Sequence, residues 1–301
     1  MKLDLARIHG IVVPVITPLN KDESIDENAL LKIADYLISG GVHGIFVNST
    51  TGEGVCLTNE EGRKVLQIVV QRVNKKVPVY ANVSATSVKL ALNNIKQVED
   101  LGADIAVAHP PYFYPPNSQE ELYTYYESLL NESKMPVMIY NIPFTTQAPI
   151  AIDTIERLLH FENLIGIKDS SVDYVFLLNL IKLKEQRPDF KIFIGKSHLW
   201  TAGILSGADG GLDGISNVIP GLCVKLYDKI KSGSDHVFDF QKEIDEIWRI
   251  YECRSFLGGV KAAMSLLGLC EAYTSKPILQ ASEEEVKNIK NILVEKEILK
   301  I

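Results

Sequence analysis

The sequence has no paired cysteines, no long apolar run and no excess of positive charge, and each absence removes a class of protein. Its four cysteines, Cys56, Cys223, Cys253 and Cys270, lie far apart and none belongs to a C-x-x-C pair. In a chain of 301 residues that spacing argues against a disulfide framework and a structural zinc site. No apolar stretch approaches the ~18 residues of a membrane span, so no membrane partner is expected. Lys and Arg number 31 against 38 Asp and Glu, a net charge of −7 with no local basic cluster. Neutralising phosphates needs clustered Lys and Arg, so nucleic acid is not expected as a partner either. Met1 to Gly10 carries Lys2, Asp4 and Arg7 instead of a signal-peptide core, and a cytoplasmic location is expected.

What is present is a repeat. Short, β-branched apolar runs alternate with amphipathic helical stretches. The runs are Ile11–Ile16, Gly44–Asn48, Pro78–Val83, Asp104–Ala108, Pro136–Tyr140, Leu164–Lys168, Lys191–Gly195 and Asp209–Ile215. Most are nearly continuous in apolar residues, as in parallel strands covered on both faces. Thr58-x-x-Glu61 and Ser118-x-x-Glu121 read as capping boxes that open helices. Ala29, Leu30, Ile33, Ala34, Leu37 and Ile38 form a helical stripe, which Gly40 and Gly41 end in a left-handed turn. Eight βα units in series predict an α/β fold, a (β/α)8 TIM barrel. The alternative, a doubly wound open sheet, lacks the G-x-G-x-x-G expected after its first strand. The barrel is expected over residues 1–224. Residues 225–301 read as a C-terminal helical extension packed on it.

Active residues of such barrels sit at the C-terminal ends of strands. Lys168 closes Leu164-Ile165-Gly166-Ile167, a run that should be buried. Desolvation disfavours an ammonium and makes a nucleophilic amine available, and such a lysine can form a Schiff base with a ketone. A lysine snorkelling to solvent is the plainer alternative. Tyr140 also ends a buried strand and has a phenol able to carry protons. The Ser49–Gly54 turn offers hydroxyls and backbone amides suited to a small carboxylate or phosphate. Gly195-Lys196 and Gly210-Gly211 fall near strands seven and eight, where many barrels hold phosphate. No His/Asp/Glu cluster has ligand spacing, so no metal is expected.

Ser49-Thr50-Thr51-Gly52-Glu53, then Tyr140-Asn141-Ile142-Pro143, then Gly166-Ile167-Lys168-Asp169 resemble, in order and spacing, the family of dihydrodipicolinate synthase and N-acetylneuraminate lyase. These are pyruvate-handling class I aldolases that work through a lysine Schiff base. The resemblance extends from Ile11 to the helical tail. It implies a cofactor-free enzyme, a homotetramer built as a dimer of dimers, with pyruvate and a small aldehyde or keto acid as partners. By resemblance Lys168 is the Schiff-base lysine and Tyr140 the proton-shuttling tyrosine, assisted by Thr50. Thr50 and Thr51 hold the pyruvate carboxylate, and Leu212 presents a backbone carbonyl to the site. Ser49, Ser170, Gly195 and Tyr112 complete the expected substrate-binding set.

Departures from the family pattern bear on the substrate. Thr145 stands where dihydrodipicolinate synthases carry an arginine for the carboxylate of the incoming aldehyde. Phe113 stands where neighbouring subunits exchange a tyrosine, which leaves Tyr112 or Tyr114 to replace it or the relay shortened. Lys196, Ser197 and His198 stand where neuraminate lyases are acidic. Phe46-Val47-Asn48 and Lys168-Asp169-Ser170 look closer to 2-keto-3-deoxygluconate aldolases. Lys196 and His198 suggest an anionic acceptor, and Asp213 is a further candidate contact. The expected activity is therefore a class I aldolase acting on pyruvate and a 2-keto-3-deoxy sugar acid. The alternatives are a dihydrodipicolinate synthase using aspartate semialdehyde and a keto-acid-binding homologue without turnover.

Overall fold

The computed structural model describes residues 4–300; Met1 to Leu3, part of the stretch read as lacking a signal core, lie outside the described residues. In chain order the elements are β1 (Gly10–Pro14), α1 (Glu27–Ser39), β2 (Gly44–Val47), α2 (Asn59–Val73), β3 (Val79–Asn82), α3 (Val88–Asp100), β4 (Ile105–Ala108), α4 (Gln119–Glu132), β5 (Val137–Asn141), the short α5 (Pro143–Thr146), α6 (Ile152–Leu158), β6 (Leu164–Asp169), α7 (Tyr174–Lys182), β7 (Lys191–Ile194), α8 (Trp200–Leu205), β8 (Gly210–Gly211), α9 (Pro220–Lys231), α10 (Val237–Ile247), α11 (Phe256–Leu266) and α12 (Glu283–Glu295). Each strand pairs in parallel with the next, and β8 returns to β1, closing the (β/α)8 barrel. Each of the eight apolar runs overlaps a strand.

Side-chain alternation divides the sheet's residues between two cores. Val12, Phe46, Tyr80, Met138, Tyr140, Phe193 and Leu212 fill the interior of the barrel. Ile11, Val13, Ile45, Val47, Ile139 and Ile167 face the surrounding helices. The bulge between Val137 and Met138 sets the β5–β6 register so that Tyr140 lies directly beside Lys168.

The eighth run contributes only Gly210 and Gly211 to the sheet, paired to Gly10 and Ile11. Both glycines are required by close packing. A Cβ on Gly210 would lie 1.9 Å from the Gly10 carbonyl oxygen, and one on Gly211 would lie 2.2 Å from the Trp200 ring. Beyond them the chain turns into a single 3-10 helix, Gly214–Asn217, capped by Asp213. The buried Asn217 completes the joint. Its amide donates to the Pro14 and Gly214 carbonyls, and its oxygen accepts from Ile16 N.

Helix ends follow their expected chemistry with two corrections. The Thr58–Glu61 box has both of its bonds. At α4, Ser118 accepts from Glu121 N, but the Glu121 carboxylate takes the Asn117 amide at 2.7 Å, so that box is only half formed. A second full box, Ser282 with Glu285, opens α12. After α1, Gly41 takes the left-handed turn (φ +77°), while Gly40 stays right-handed. Helix α9 runs across residue 224, so a division there cuts a helix that packs on β1. No helix among the described residues is long and apolar enough to cross a membrane.

Candidate active site

The cavity at the C-terminal mouth of the barrel has a volume of about 210 Å³ and is lined by Thr50, Thr51, Tyr140, Lys168, Ser170, Gly195 and Leu212, among others. Seven of the nine residues expected at the site thus share one cavity. Lys168 is 4% exposed and among the described residues no carboxylate pairs with it. Its Nζ lies 4.0 Å above the Tyr140 ring and 5.5 Å from that of Phe46. An amine held against aromatic faces without a counter-ion is well placed to attack a carbonyl. Neighbouring Asp169 points the other way, bonded to Asn141 Nδ2 at 2.7 Å and to Ser171. Burial pushes its carboxyl up, against the pull of those bonds.

The loop after β2 is built for close approach. Gly52 N donates to Ser49 Oγ, and Thr17 Oγ1 donates to the Gly52 carbonyl at 2.6 Å. The loop continues into Glu53, a left-handed residue (φ +56°). Its carboxylate is fully buried, paired with the equally buried Lys261 of α11 and accepting from Ser275 N at 2.7 Å. Lys261 in turn donates to the Tyr273 carbonyl at 2.6 Å. An internal ion pair thus anchors the Thr50–Thr51 loop to the C-terminal helices. Glu53 was legible only as a letter of the motif; its partner lies 208 residues away, with no local signal.

Gly195 serves the site through having no side chain. A Cβ there would fall 1.9 Å from Ser170 Oγ, so glycine leaves the serine room at the cavity wall. Ser170 N is held by the Asn141 carbonyl at 2.8 Å.

Two expected residues are placed elsewhere. Ser49 and Tyr112 line a second chamber of about 190 Å³ on the other side of Thr50 and Tyr140, and the Ser49 hydroxyl is engaged in bracing its own turn. That chamber also holds Asn82, His109, Thr145 and Thr146. Phe113 and Tyr114 stand on the surface, 80% and 79% exposed, with Phe113 in the left-handed region (φ +71°). Of the two acceptor candidates after β7, only Lys196 lines the main cavity, with its Nζ 5.3 Å from the Phe144 ring. His198 is bonded to Asp245 at 2.7 Å outside the cavity lining. Asp213 is at the wall, but its carboxylate is occupied by Ser197 N and Ile215 N. Among the described residues no three His, Cys, Asp or Glu side chains converge as a metal would need.

Sequence reading missed the outer wall, made by Trp248, Tyr251 and Phe256. These belong to the C-terminal region, between α10 and the start of α11. Their helical spacing could equally have meant core. The Tyr251 hydroxyl is buried without a hydrogen-bond partner among the described residues, pressed against Gly214, where a Cβ would come within 2.7 Å.

A parallel barrel with a buried, unpaired lysine beside a tyrosine at the strand ends has the architecture of a class I aldolase. The Dihydrodipicolinate synthetase family model matches residues 7–296. An uncharacterised DapA-like lyase of Thermofilum pendens is 32% identical over 292 residues, covering 95% of this chain and 97% of the relative. A 4-hydroxy-tetrahydrodipicolinate synthase of Methanothermobacter thermautotrophicus is 32% identical over 270 residues, covering 87% and 93%. The solved dihydrodipicolinate synthase of Acinetobacter baumannii, complexed with pyruvate, superposes with a TM-score of 0.92 at 28% identity, covering 97% of this chain and all of that one. The chain belongs to the dihydrodipicolinate synthetase family and is a lyase of the class I aldolase type.

Proposed function

We propose that this enzyme condenses Lys168 with the keto carbon of pyruvate or of a 2-keto-3-deoxy sugar acid, and cleaves or forms the adjoining C–C bond through the protonated imine. The observation that carries this reading is the buried Lys168 Nζ, unpaired and 4.0 Å from the Tyr140 ring, in one cavity with Thr50 and Thr51. The two threonines offer donors for the keto acid's carboxylate without a cation that would compete for the imine. Tyr140 carries protons to and from the oxygen that leaves as the imine forms. The pyruvate complex of the Acinetobacter relative supports pyruvate as the common ligand.

The acceptor half of the cavity favours a polyhydroxylated partner. Ser170 lies at its wall, Trp248, Tyr251 and Phe256 offer flat apolar faces, and Lys196 is its one cation beyond Lys168 among the described lining residues. The second reading, condensation with aspartate semialdehyde, is favoured by the name of the Methanothermobacter relative. Against it, position 145 is a threonine whose hydroxyl donates to the Ile142 carbonyl, with no bidentate clamp for a second carboxylate. A homotetramer is the assembly that goes with this reading, and the exposed aromatics Phe113 and Tyr114 are the surface feature that supports association.

The test is intact-protein mass spectrometry after borohydride treatment with pyruvate, with Lys168→Ala as control. A reduced pyruvyl adduct on the wild type alone is expected, and its absence refutes the imine. Turnover assays with 2-keto-3-deoxygluconate and with pyruvate plus aspartate semialdehyde then separate the two acceptors.

A further inference from the structure

The second chamber contains an imidazole that the scheme above leaves unused. His109 follows β4 and is 8% exposed. Its backbone N–H is held by Ser84 Oγ at 2.8 Å, and its Nδ1 lies 2.8 Å from the Pro110 carbonyl. A carbonyl only accepts, so Nδ1 carries the proton and Nε2 of the neutral ring is a bare acceptor. Nε2 has no protein partner among the described residues. The ring stands edge-on to Tyr140 at 6.2 Å and 5.7 Å from Tyr112. The Tyr140 ring thus neighbours both Lys168, with Nζ 4.0 Å from its centroid, and His109. The chamber wall reaches Tyr140 and Thr50, and its volume has room for bridging water.

Resting on the aldolase reading of Lys168, we propose that His109 is the proton-holding partner of Tyr140, taking a proton from Lys168 through the phenol and returning it as the imine forms. An ammonium has no lone pair, so Lys168 must lose a proton before it attacks. Tyr140 takes that proton on its oxygen while passing its own to Nε2, which leaves a neutral amine and an imidazolium. The amine adds to the keto carbon, and a proton moves from nitrogen to oxygen to give the carbinolamine. When its C–O bond breaks, Tyr140 protonates the departing hydroxide and is reprotonated by the imidazolium. The products are the protonated imine, one water and neutral His109, with no net proton taken from solvent. Burial, and then the charge of Lys168, hold the imidazole below its ordinary value, against the pull of the Pro110 carbonyl, so it readily gives the proton back. The titratable groups that face it are Tyr140 on β5, Lys168 on β6 and Tyr112 on the loop after β4; the other polar residues lining the chamber are Ser49, Thr50, Asn82, Thr145 and Thr146. His109 acts through Tyr140 and does not touch the substrate.

The experiment measures the rate of adduct formation with pyruvate by quenching into borohydride at timed intervals, from pH 5.5 to 9. It compares the wild type with His109→Asn, which keeps a donor for the Pro110 carbonyl but cannot titrate. The wild-type rate should fall at acidic pH, in a limb below the ordinary histidine value. His109→Asn should slow the reaction by roughly 10²–10⁴-fold, lose that limb, and reach the wild-type extent of adduct at long times. A rate within threefold of wild type overturns the proposal. So does a slower rate with the acidic limb intact, since a packing role alone leaves the pH profile unchanged. If His109→Asn does not fold by circular dichroism, His109→Gln is measured against the same outcomes. A wild type that traps no pyruvate at any pH refutes the Lys168 reading instead, and with it this one.

Discussion

Breaking the internal ion pair under the Thr50–Thr51 loop should cost more stability than any surface change, and the cost should be strongly non-additive. Glu53 and Lys261 are both fully buried. Removing one member strands the other's charge in the interior, at ~3–5 kcal/mol. At ~2 °C per kcal/mol for a chain of this size, Lys261→Met should lower Tm by roughly 6–10 °C. Glu53→Gln leaves an ammonium with only the Tyr273 carbonyl for company and should cost a similar amount. The double variant removes both charges, and the glutamine oxygen can still accept from Ser275 N. What remains is one orphaned carbonyl, ~1–3 kcal/mol. Its loss should therefore fall at least ~2 kcal/mol short of the two single losses together. The assay is a double-mutant cycle in denaturant, with Tm alongside. Single losses that add to within ~0.5 kcal/mol refute the reasoning, because they would mean that the two groups do not feel each other. Because Glu53 ends the loop proposed to hold the keto acid's carboxylate, the single variants should also raise the KM for pyruvate more than they lower kcat.

Tyr140→Phe should lose ~10²–10⁴ in kcat with little change in Tm; wild-type turnover in this variant would remove the phenol from the scheme. Gly195→Ala places a methyl group on Ser170 Oγ and should cost ~1–3 kcal/mol by overpacking, together with most of the activity, as read by melting and by the cleavage assay. At the N-terminal face of the barrel, His43 Nδ1 accepts the Ile11 amide at 3.1 Å, and burial lowers its pKa. Burial, aided by Lys191 and Lys231, also lowers that of nearby His9. Both are held neutral in the fold, while the unfolded chain takes up protons near pH 6.5. Their stabilisation is present above pH ~6.5 and lost as pH falls through the lowered values. Denaturant midpoints should therefore decline between pH 7 and 5, and less steeply in His43→Asn.

The barrel could be read in the sequence because each strand is buried on both faces, and such strands show as unbroken apolar runs. Leu164–Ile167 is one, and the lysine that ends it stands out against it. The same logic exposed Tyr140, which β5 carries to the register position beside Lys168. What escaped depends on distance along the chain. Lys261 meets Glu53 only once the C-terminal helices have folded back. Trp248, Tyr251 and Phe256 sit in an amphipathic stretch that reads as ordinary helix packing. His109 follows the Asp104–Ala108 run directly, but its fixed tautomer comes from the Pro110 carbonyl, and sequence does not show where that oxygen points. Tyr112 and Ser49 were assigned to the C-terminal mouth of the barrel and line the second chamber there; linear spacing does not show that Thr50 and Tyr140 border two cavities.

The closing joint of the barrel gives the enzyme a preferred place to breathe. Gly10 and Ile11 meet Gly210 and Gly211 over only two residue pairs, and the side chain of Asn217 stands in for the rest of the ladder. Amide hydrogen exchange reports local opening, and it runs fastest where few backbone bonds must break together. The Gly214 amide, three residues beyond the joint, should exchange well before those of β5 and β6, whereas Leu212 N is held by the Ile194 carbonyl at 2.9 Å. Those same residues form a wall of the reaction cavity. Lys168 and Tyr140 thus sit on a strand pair joined over five register positions, while Leu212 and Gly214 follow a joint of only two. If that exchange is seen, the wall opposite Lys168 and Tyr140 is the part of the cavity that yields.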